Sequence, residues 1–190
     1  MSRLEPLHPS DLDGDQRALY DAITTGPRAG AGLTDARGAL RGPFDALLRS
    51  PSVGQAVQEL GAVLRYRGAL PDDLRELAVL VAAAHWRCAF ELDAHGQLAI
   101  RVGIAPEVVS ALREGHREGH RAQLAAGTAQ RVVHDAAVEL LETHRLRRDT
   151  YTALVDTVGV EQLVELLTLL GYYSLLAMLL ESFEVRLERA

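Results

Sequence analysis

The fold of this chain is decided by residues 70–102, which read LPDDLRELAVLVAAAHWRCAFELDAHGQLAIRV. Apolar residues recur through this stretch at helical spacing, and Asp72 and Asp73 suit the positive end of a helix dipole. A single helix of about thirty residues is long for a globular protein. Because residues 85–87 (His-Trp-Arg) are mediocre helix formers, we predict two helices with a break there, the second ending at Gly103.

The same helical spacing extends outward on both sides of this stretch, while the alternating pattern of strands is scarce. A first helix begins near Asp11 or Asp13, and a Gly- and Ala-rich loop follows over residues 26–42. Ser52 is the predicted N-cap of a later helix. We predict further helices over residues 43–49, 52–66, 106–114, 128–144, 148–158 and 161–184. The expected fold class is all-α.

The composition, with 48% hydrophobic and 24% charged residues, is that of a soluble protein able to bury a core. A length of 190 residues suits one domain. We therefore predict a single helical domain over residues 1–190, with residues 1–10 as an N-terminal extension. The formal net charge of −6 argues against a nucleic-acid partner, since phosphate binding needs a concentrated cationic face.

Missing residue types exclude several kinds of chemistry. All 20 basic residues are arginine, so the chain has no lysine for a Schiff base, a pyridoxal phosphate anchor or a Walker-type phosphate loop. The one cysteine, Cys88, excludes an internal disulfide and a four-cysteine zinc site. We expect neither a metal nor a cofactor.

The most apolar run, residues 163–180, is long enough for a membrane span but lacks the surroundings of one. Glu165 interrupts it, and acidic residues flank it where a span usually has basic or aromatic anchors. We therefore predict a buried helix and no membrane. Because this helix is apolar nearly all round, we expect it to pack against a second copy of the chain, in a dimer-based or trimeric homo-oligomer. The N-terminus lacks the apolar stretch of a signal peptide, so the expected location is cytoplasmic.

Three residues of the quoted stretch bring reactive groups onto one helix face. At about 100° per residue, Cys88, Glu91 and His95 lie within about 60° of arc, over roughly two turns. A carboxylate that holds one imidazole nitrogen leaves the other for general acid or base chemistry, and Glu91 and His95 have the required i,i+4 spacing. Glu76, on a straight helix, is roughly 18 Å from Cys88. It joins this face only if the chain bends back at the predicted break.

The same residues also have a purely structural interpretation. A single cysteine among alanine and valine is most often a small buried hydrophobe. Glu91 has the spacing to pair with Arg87 on a solvated face, with His95 as a surface residue. Spacing alone leaves both interpretations open.

Other histidines and tyrosines are expected to have structural roles. His116 and His120 have the i,i+4 spacing of a zinc pair, but glycines weaken any helix there and no third ligand is near, so we expect a solvated helix end or loop. His134 is predicted on the surface. Tyr172 and Tyr173 are expected to pack in the core, with one of them able to border a polar site.

The quoted stretch also resembles a known family. E-L-x-x-L at residues 76–80 and C-x-x-E-x-x-x-H at residues 88–95 are similar to the active-site motif of the carboxymuconolactone decarboxylase/AhpD-like family. In that motif a Glu precedes a C-x-x-C pair by twelve residues, and a His follows the second Cys by four. Glu76, Cys88 and His95 match the Glu, the first Cys and the His, and Glu91 replaces the second Cys. Similar segments at 42–44, 49–51, 103–107 and 171–173 imply an AhpD-like helical fold over most of residues 10–185.

The missing second cysteine bears on the activity that this resemblance implies. Family peroxidases use two cysteines, so Cys88 alone would need an outside thiol for recycling, and the nearby Glu91 carboxylate disfavours a thiolate. The decarboxylase branch relies on acid–base residues. It implies His95 as a proton donor oriented by Glu91, with Glu76 as a second acid–base group.

We therefore predict an enzyme similar to carboxymuconolactone decarboxylase, which uses acid–base chemistry on a small carboxylated metabolite. Arg87 and His85 are the candidate substrate-binding residues, because a guanidinium can hold a carboxylate bidentately. Two alternatives stay open, namely a peroxide reductase that uses Cys88 alone and a helical oligomer without catalytic activity.

Overall fold

The computed structural model describes residues 2–30, 32–115 and 117–186, and this part of the chain is helical, without a strand. The predicted all-α fold is confirmed. A short 3-10 helix, Pro9–Asp11, is followed in these ranges by α1 (Gly14–Thr25), α2 (Pro43–Leu47), α3 (Pro51–Tyr66), α4 (Asp72–His85), α5 (Ala89–Arg101), α6 (Pro106–Glu114), α7 (Arg117–Ala122), α8 (Ala129–Thr143) and α9 (Arg148–Ser182).

The described residues form two compact units. The first unit contains residues 2–68 and 178–186, and the second unit contains the described part of Ala69–Ala177. The predicted single domain over residues 1–190 stays a prediction, and its ends lie outside the described residues. Residues 2–10, the predicted extension, belong to the first unit, where the Arg3 amide donates to the Phe183 carbonyl at 2.8 Å.

The first unit is built around the packing of α1 and α2 on α3. Helix α1 begins with a capping box, in which the Asp13 carboxylate accepts from the Gln16 amide at 2.8 Å and the Gln16 side chain accepts from the Asp13 amide at 3.1 Å. The buried core of this unit consists of Leu19, Ile23, Leu40, Phe44, Leu47 and Leu48.

The start of α3 differs from the prediction. Its N-cap is Ser50 and not Ser52, because Pro51 takes the first helical position, where its missing N–H and fixed φ are tolerated. The Ser50 side chain makes no capping hydrogen bond. The N-cap of this helix therefore lies two residues earlier than the sequence pattern indicated.

The predicted break in residues 70–102 lies between α4 and α5 in the second unit. Helix α4 ends at His85, Arg87 has a left-handed backbone (φ +52°), and Cys88 is the N-cap of α5. This turn sends α5 back along α4, and the two helices pack together. Helix α4 also packs on α8, so its side chains are buried on most sides. The second helix ends at Arg101, and its C-cap Val102 is followed by Gly103 (φ +103°).

The helices predicted over 148–158 and 161–184 form one long element, α9, with a non-helical residue at Gly159 (φ 78°, ψ 170°). Beyond Gly159, α9 buries Leu163, Leu166 and Leu169 among others in the second unit. By length and composition, α9 is the one helix of the described chain that could cross a membrane, but half of its most apolar window is buried inside the fold. This burial shows that α9 contributes to the core, and the predicted absence of a membrane stays a prediction.

Candidate functional site

The bend between α4 and α5 brings Glu76 and His95 into direct contact. Nδ1 of His95 lies 2.7 Å from Oε2 of Glu76, and the two residues are 5% and 3% exposed. An N–H donor at this distance from a carboxylate makes a strong, charge-assisted hydrogen bond. The Glu76 carboxylate therefore holds the His95 ring in one orientation, with Nδ1 protonated.

Two further groups face the other nitrogen of the ring. Nε2 of His95 is 3.4 Å from Oε2 of Glu91 and 3.3 Å from the hydroxyl of Tyr173 on α9. The Tyr173 ring packs edge-on against the imidazole, with the ring centroids 5.2 Å apart. With Nδ1 protonated, Nε2 of a neutral His95 accepts the hydroxyl hydrogen of Tyr173. Glu76, His95, Glu91 and Tyr173 form a buried network in the second unit, named here the His95 network.

The cation of Arg75 balances part of the negative charge of this network. Its Nε lies 3.7 Å from Oε1 of Glu76, and its terminal nitrogen Nη1 binds Oδ1 of Asp72 at 2.8 Å. Nε is buried and makes no hydrogen bond within the described structure. Arg75 therefore acts on Glu76 by charge.

The face of α5 that carries Cys88, Glu91 and His95 points into the interior of the second unit. Cys88 is fully buried at the N-cap of the helix, and its amide donates to the Ala83 carbonyl at 2.9 Å. Glu91, at 3% exposure, does not lie on a solvated face with Arg87. His95 is likewise not a surface residue. The structure thus places Cys88, Glu91 and His95 inside the fold, and Glu76 joins them through its contact with His95.

The candidate substrate-binding residues lie elsewhere. Arg87 and His85 are exposed and line a cavity of about 530 Å3 among the helices of the second unit. None of Glu76, Cys88, Glu91 and His95 lines that cavity. The structure therefore brings the acid–base residues together but not with the predicted substrate-binding pair.

A second buried histidine cluster was not predicted. His120 and His134, expected in a solvated segment and on the surface, are 5% and 1% exposed. Nδ1 of His120 lies 2.6 Å from Nε2 of His134, and Nδ1 of His134 lies 3.0 Å from Oδ1 of Asp135. The predictions were wrong because the short helix α7 packs on α8, and no pattern in the sequence indicates that contact. His116, which has the i,i+4 spacing of a zinc pair with His120, lies outside the described residues.

Electrostatics around Asp135 favour a charged carboxylate beside a neutral imidazole. Burial raises the pKa of Asp135, but hydrogen bonds from Arg121, His134 and Arg131 outweigh it and hold that pKa below its ordinary value. Burial lowers the pKa of His134, against the opposing effect of Asp135. The described residues contain no group of three or more His, Cys, Asp or Glu side chains arranged to hold a metal ion.

Comparisons with known proteins agree with the resemblance. Residues 51–133, which run from α3 into α8 and include the whole motif, match the carboxymuconolactone decarboxylase family. The match over residues 51–133 and the all-helical AhpD-like fold together support the resemblance to the carboxymuconolactone decarboxylase/AhpD-like family. No curated protein matches the chain significantly.

Solved structures share the fold over nearly the whole chain. A peroxidase-related protein from Ralstonia eutropha JMP134, with an alkylhydroperoxidase AhpD core, has a TM-score of 0.74 at 17% identity, covering 98% of this chain and 92% of that one. The debrominase Bmp8, in complex with 2,3,4-tribromopyrrole, has a TM-score of 0.71 at 14% identity, covering 99% and 94%. A putative antioxidant defence protein AhpD from Agrobacterium tumefaciens has a TM-score of 0.64 at 16% identity, covering 79% and 100%. At these identities the likeness establishes the fold alone.

Proposed function

We propose that this protein is an enzyme that uses acid–base chemistry on a small carboxylated metabolite, in the manner of a decarboxylase, with His95 as the proton-transfer group. The observation that carries the proposal is the 2.7 Å contact between His95 Nδ1 and Glu76 Oε2 inside the fold. A buried carboxylate that orients an imidazole and stabilises its protonated form is a recurrent device of proton-transfer enzymes.

Each residue of the His95 network has a role in the proposed reaction. Loss of CO2 breaks the bond between the carboxyl carbon and its neighbour, and the electron pair passes into the unsaturated system of the substrate. A proton must then be added to carbon. His95 supplies it from Nε2, directly or through the Tyr173 hydroxyl at 3.3 Å, while Glu76 stabilises the imidazolium that precedes transfer.

Glu91 adds a second carboxylate 3.4 Å from the same nitrogen. Its oxygen can accept a hydrogen bond from Nε2 of a protonated ring, so that the proton to be transferred has a partner there. Because Arg87 and His85 line a cavity apart from the network, the proposed reaction does not rely on them.

Turnover of a carboxymuconolactone, followed as CO2 release, tests this proposal with the full-length protein. His95→Gln and Glu76→Gln should lower kcat by about 100-fold or more, the usual contribution of a positioned acid–base group. Cys88→Ser should keep most of the activity, and the control His144→Gln, an exposed histidine, should match the wild type. Failure of the wild type to release CO2 would contradict the proposal. So would a result in which Cys88→Ser loses the activity and His95→Gln keeps it.

A second candidate, a peroxide reductase that uses one cysteine, is favoured by the position of Cys88 at the N-terminus of α5. A helix N-terminus stabilises a thiolate. The thiolate would attack the O–O bond, giving a sulfenic acid and an alcohol or water, and two external thiols would then reduce the sulfenic acid. Dimedone labelling after peroxide treatment tests it, since labelled Cys88 together with peroxide consumption would support this candidate over the first.

We also propose that the protein assembles as a homo-oligomer through α9 and works in the cytoplasm. Val160, Val164 and Leu167 lie on one side of α9 and are 58%, 57% and 40% exposed, which is unusual for apolar residues of a core helix. A second copy of the chain would cover this face. An oligomer with neither decarboxylase nor peroxidase activity would favour the remaining alternative, a purely structural role.

A further inference from the structure

The cluster of Asp135, His134 and His120 has a fixed direction of hydrogen bonding. Asp135 is held ionised by Arg121 and Arg131, at 2.9 and 3.0 Å, and can only accept. His134 therefore donates from Nδ1 to Asp135 and accepts at Nε2. Since the two rings are only 2.6 Å apart at the nearest nitrogens, His120 must donate from Nδ1. The chain of bonds thus runs from His120 through His134 to an anion.

His120 is also where this chain of bonds reaches the 530 Å3 cavity. The ring lies on the wall of that cavity, which is enclosed by α4, α5, α6, α7 and α8. About half of the lining is apolar, including Val81, Leu92, Leu112, Val138 and Leu141. The other half is polar and consists of His85, Arg87, Arg113, Glu114, His120 and Glu142. The two glutamates each have a partner within the protein. A cavity of this size, with both an apolar and a polar wall, is large enough for a small organic ligand.

The cationic groups of the cavity differ in their availability. The Arg113 guanidinium donates to the Leu92 carbonyl at 2.7 Å and is paired with Asp93. The Arg87 guanidinium has neither a hydrogen bond nor an ion pair within the described part of the chain. Arg87 is also one of the few residues other than glycine with positive φ, a strained conformation that is often found where a side chain serves a site. Among the described residues that line the cavity, Arg87 is thus the arginine without a side-chain partner, and it lies on the same cavity as the apolar side chains.

We propose that this cavity is a second ligand site, separate from the His95 network, which binds a small organic acid with an apolar body. Arg87 pairs with the carboxylate of the ligand, the apolar wall covers its body, and His120 is the titratable partner. The proposal goes beyond the acid–base function and does not depend on it, because no residue of the His95 network lines the cavity.

A bound carboxylate has a predictable effect on the histidine pair. Its negative charge, in a partly desolvated cavity, increases the proton affinity of His120. The ligand is already ionised at pH 7, so the added proton comes from the buffer and is taken up by the ring of His120. Asp135, through His134, stabilises the positive charge that results.

Calorimetric titration of the full-length protein tests the site with three probes of one shape, namely 2-naphthoate, neutral 2-naphthylmethanol and cationic 2-naphthylmethylamine. We expect 2-naphthoate to bind most tightly. Arg87→Gln should weaken it about tenfold or more, because a charge-assisted bond is lost. The exposed control Arg101→Gln, outside the cavity, should leave the affinity unchanged. Preference for the amine or the alcohol, or equal binding by Arg87→Gln, would overturn the proposal.

The part played by His120 is measured by repeating the titration in buffers of different ionisation enthalpy. The wild type should take up protons on binding, and Asp135→Asn should bind with reduced uptake. If the wild type takes up no protons on binding, this role of His120 is overturned. That result does not require a His120 variant that folds. His95→Gln should bind 2-naphthoate as the wild type does. If that variant loses binding while keeping its thermal stability, the ligand sits at the His95 network and the second site is wrong.

Discussion

Nδ1 of His95 is 2.7 Å from Oε2 of Glu76, although the two residues are nineteen positions apart in the chain. The contact exists because Arg87 adopts a left-handed backbone between α4 and α5, so that α5 returns along α4. Without that turn, the glutamate at the start of one helix could not reach a histidine in the middle of the next. The arrangement leads to testable consequences for stability as well as for catalysis.

Glu76→Leu should lower the free energy of unfolding by about 1–3 kcal/mol, because it leaves the buried Nδ1–H of His95 without an acceptor. Glu76→Gln keeps an acceptor oxygen and should cost less. Urea denaturation measures both, with the exposed Glu59→Leu as the control expected to change stability by about 0.5 kcal/mol or less. Equal stability of Glu76→Leu and wild type would mean that the contact contributes nothing.

Cys88 should react slowly with a thiol reagent in the native protein, because its side chain is fully buried. The measurement is the rate of modification by Ellman's reagent at pH 8, compared with the rate in 8 M urea. A native rate close to the unfolded one would show that the thiol is accessible and would favour the peroxide reductase.

The free energy of unfolding should fall as pH drops below about 6.5, and His134 should account for part of that fall. Burial lowers the pKa of His134 in the folded protein from its ordinary value of 6.5. Below that value the unfolded chain binds a proton that the folded chain does not, so acid favours unfolding, by up to about 1.4 kcal/mol per pH unit for one group.

Denaturation at pH 5, 6 and 7 measures this slope. His134→Gln should flatten it, whatever its stability at pH 7, whereas the exposed control His144→Gln should keep it. An unchanged slope in His134→Gln would refute the assignment.

Gly54→Ala should destabilise the first unit by about 1–3 kcal/mol through overpacking. An added Cβ would lie 2.6 Å from Cδ2 of Leu19 and 2.7 Å from the Leu47 carbonyl oxygen, closer than carbon atoms tolerate. Gly14→Ala is the matched control, since nothing lies within 4 Å of its Cβ position. Thermal unfolding distinguishes the two, and a loss of stability as large in Gly14→Ala would contradict the packing argument.

Val164→Glu should dissociate the proposed oligomer, because it places a charge in the middle of the exposed apolar face of α9. Light scattering coupled to gel filtration gives the mass of each form, and Asp156→Ala on the exposed side of the same helix is the control. A wild type that is monomeric at micromolar concentration would remove the basis for this assembly.

The features that can be predicted from this sequence are those with a local signal. The helices were predicted because apolar residues recur every three or four positions, and the ends at Gly103 and Gly115 because glycine stops helices. The break at residues 85–87 follows from the low helix propensity of these three residues. A break there allows Glu76 to approach the face of α5 that carries Cys88, Glu91 and His95. Tyr173 was considered as a residue at a polar site, but nothing in the pattern distinguished it from Tyr172.

Contacts between distant segments of the chain leave no such local signal. His120 and His134 were expected to meet solvent, since one lies in a Gly-rich segment and the other on the polar side of its helix. Their burial depends on α7 packing against α8, a contact that no local spacing encodes. The separation of Arg87 and His85 from the His95 network has the same origin, because residues adjacent in sequence at a turn can point to opposite sides of a helix pair.

The amino-acid sequence by itself determined the helical class, the place of the bend and the resemblance of residues 51–133 to a known family, because each depends on residue type and spacing over a few turns. Only the tertiary structure decided which side chains meet: Glu76 with His95, Tyr173 with the same ring, and His120 with His134. The physical reason is that helix propensity acts along the chain, whereas the hydrogen bonds of a buried site depend on how helices pack across it.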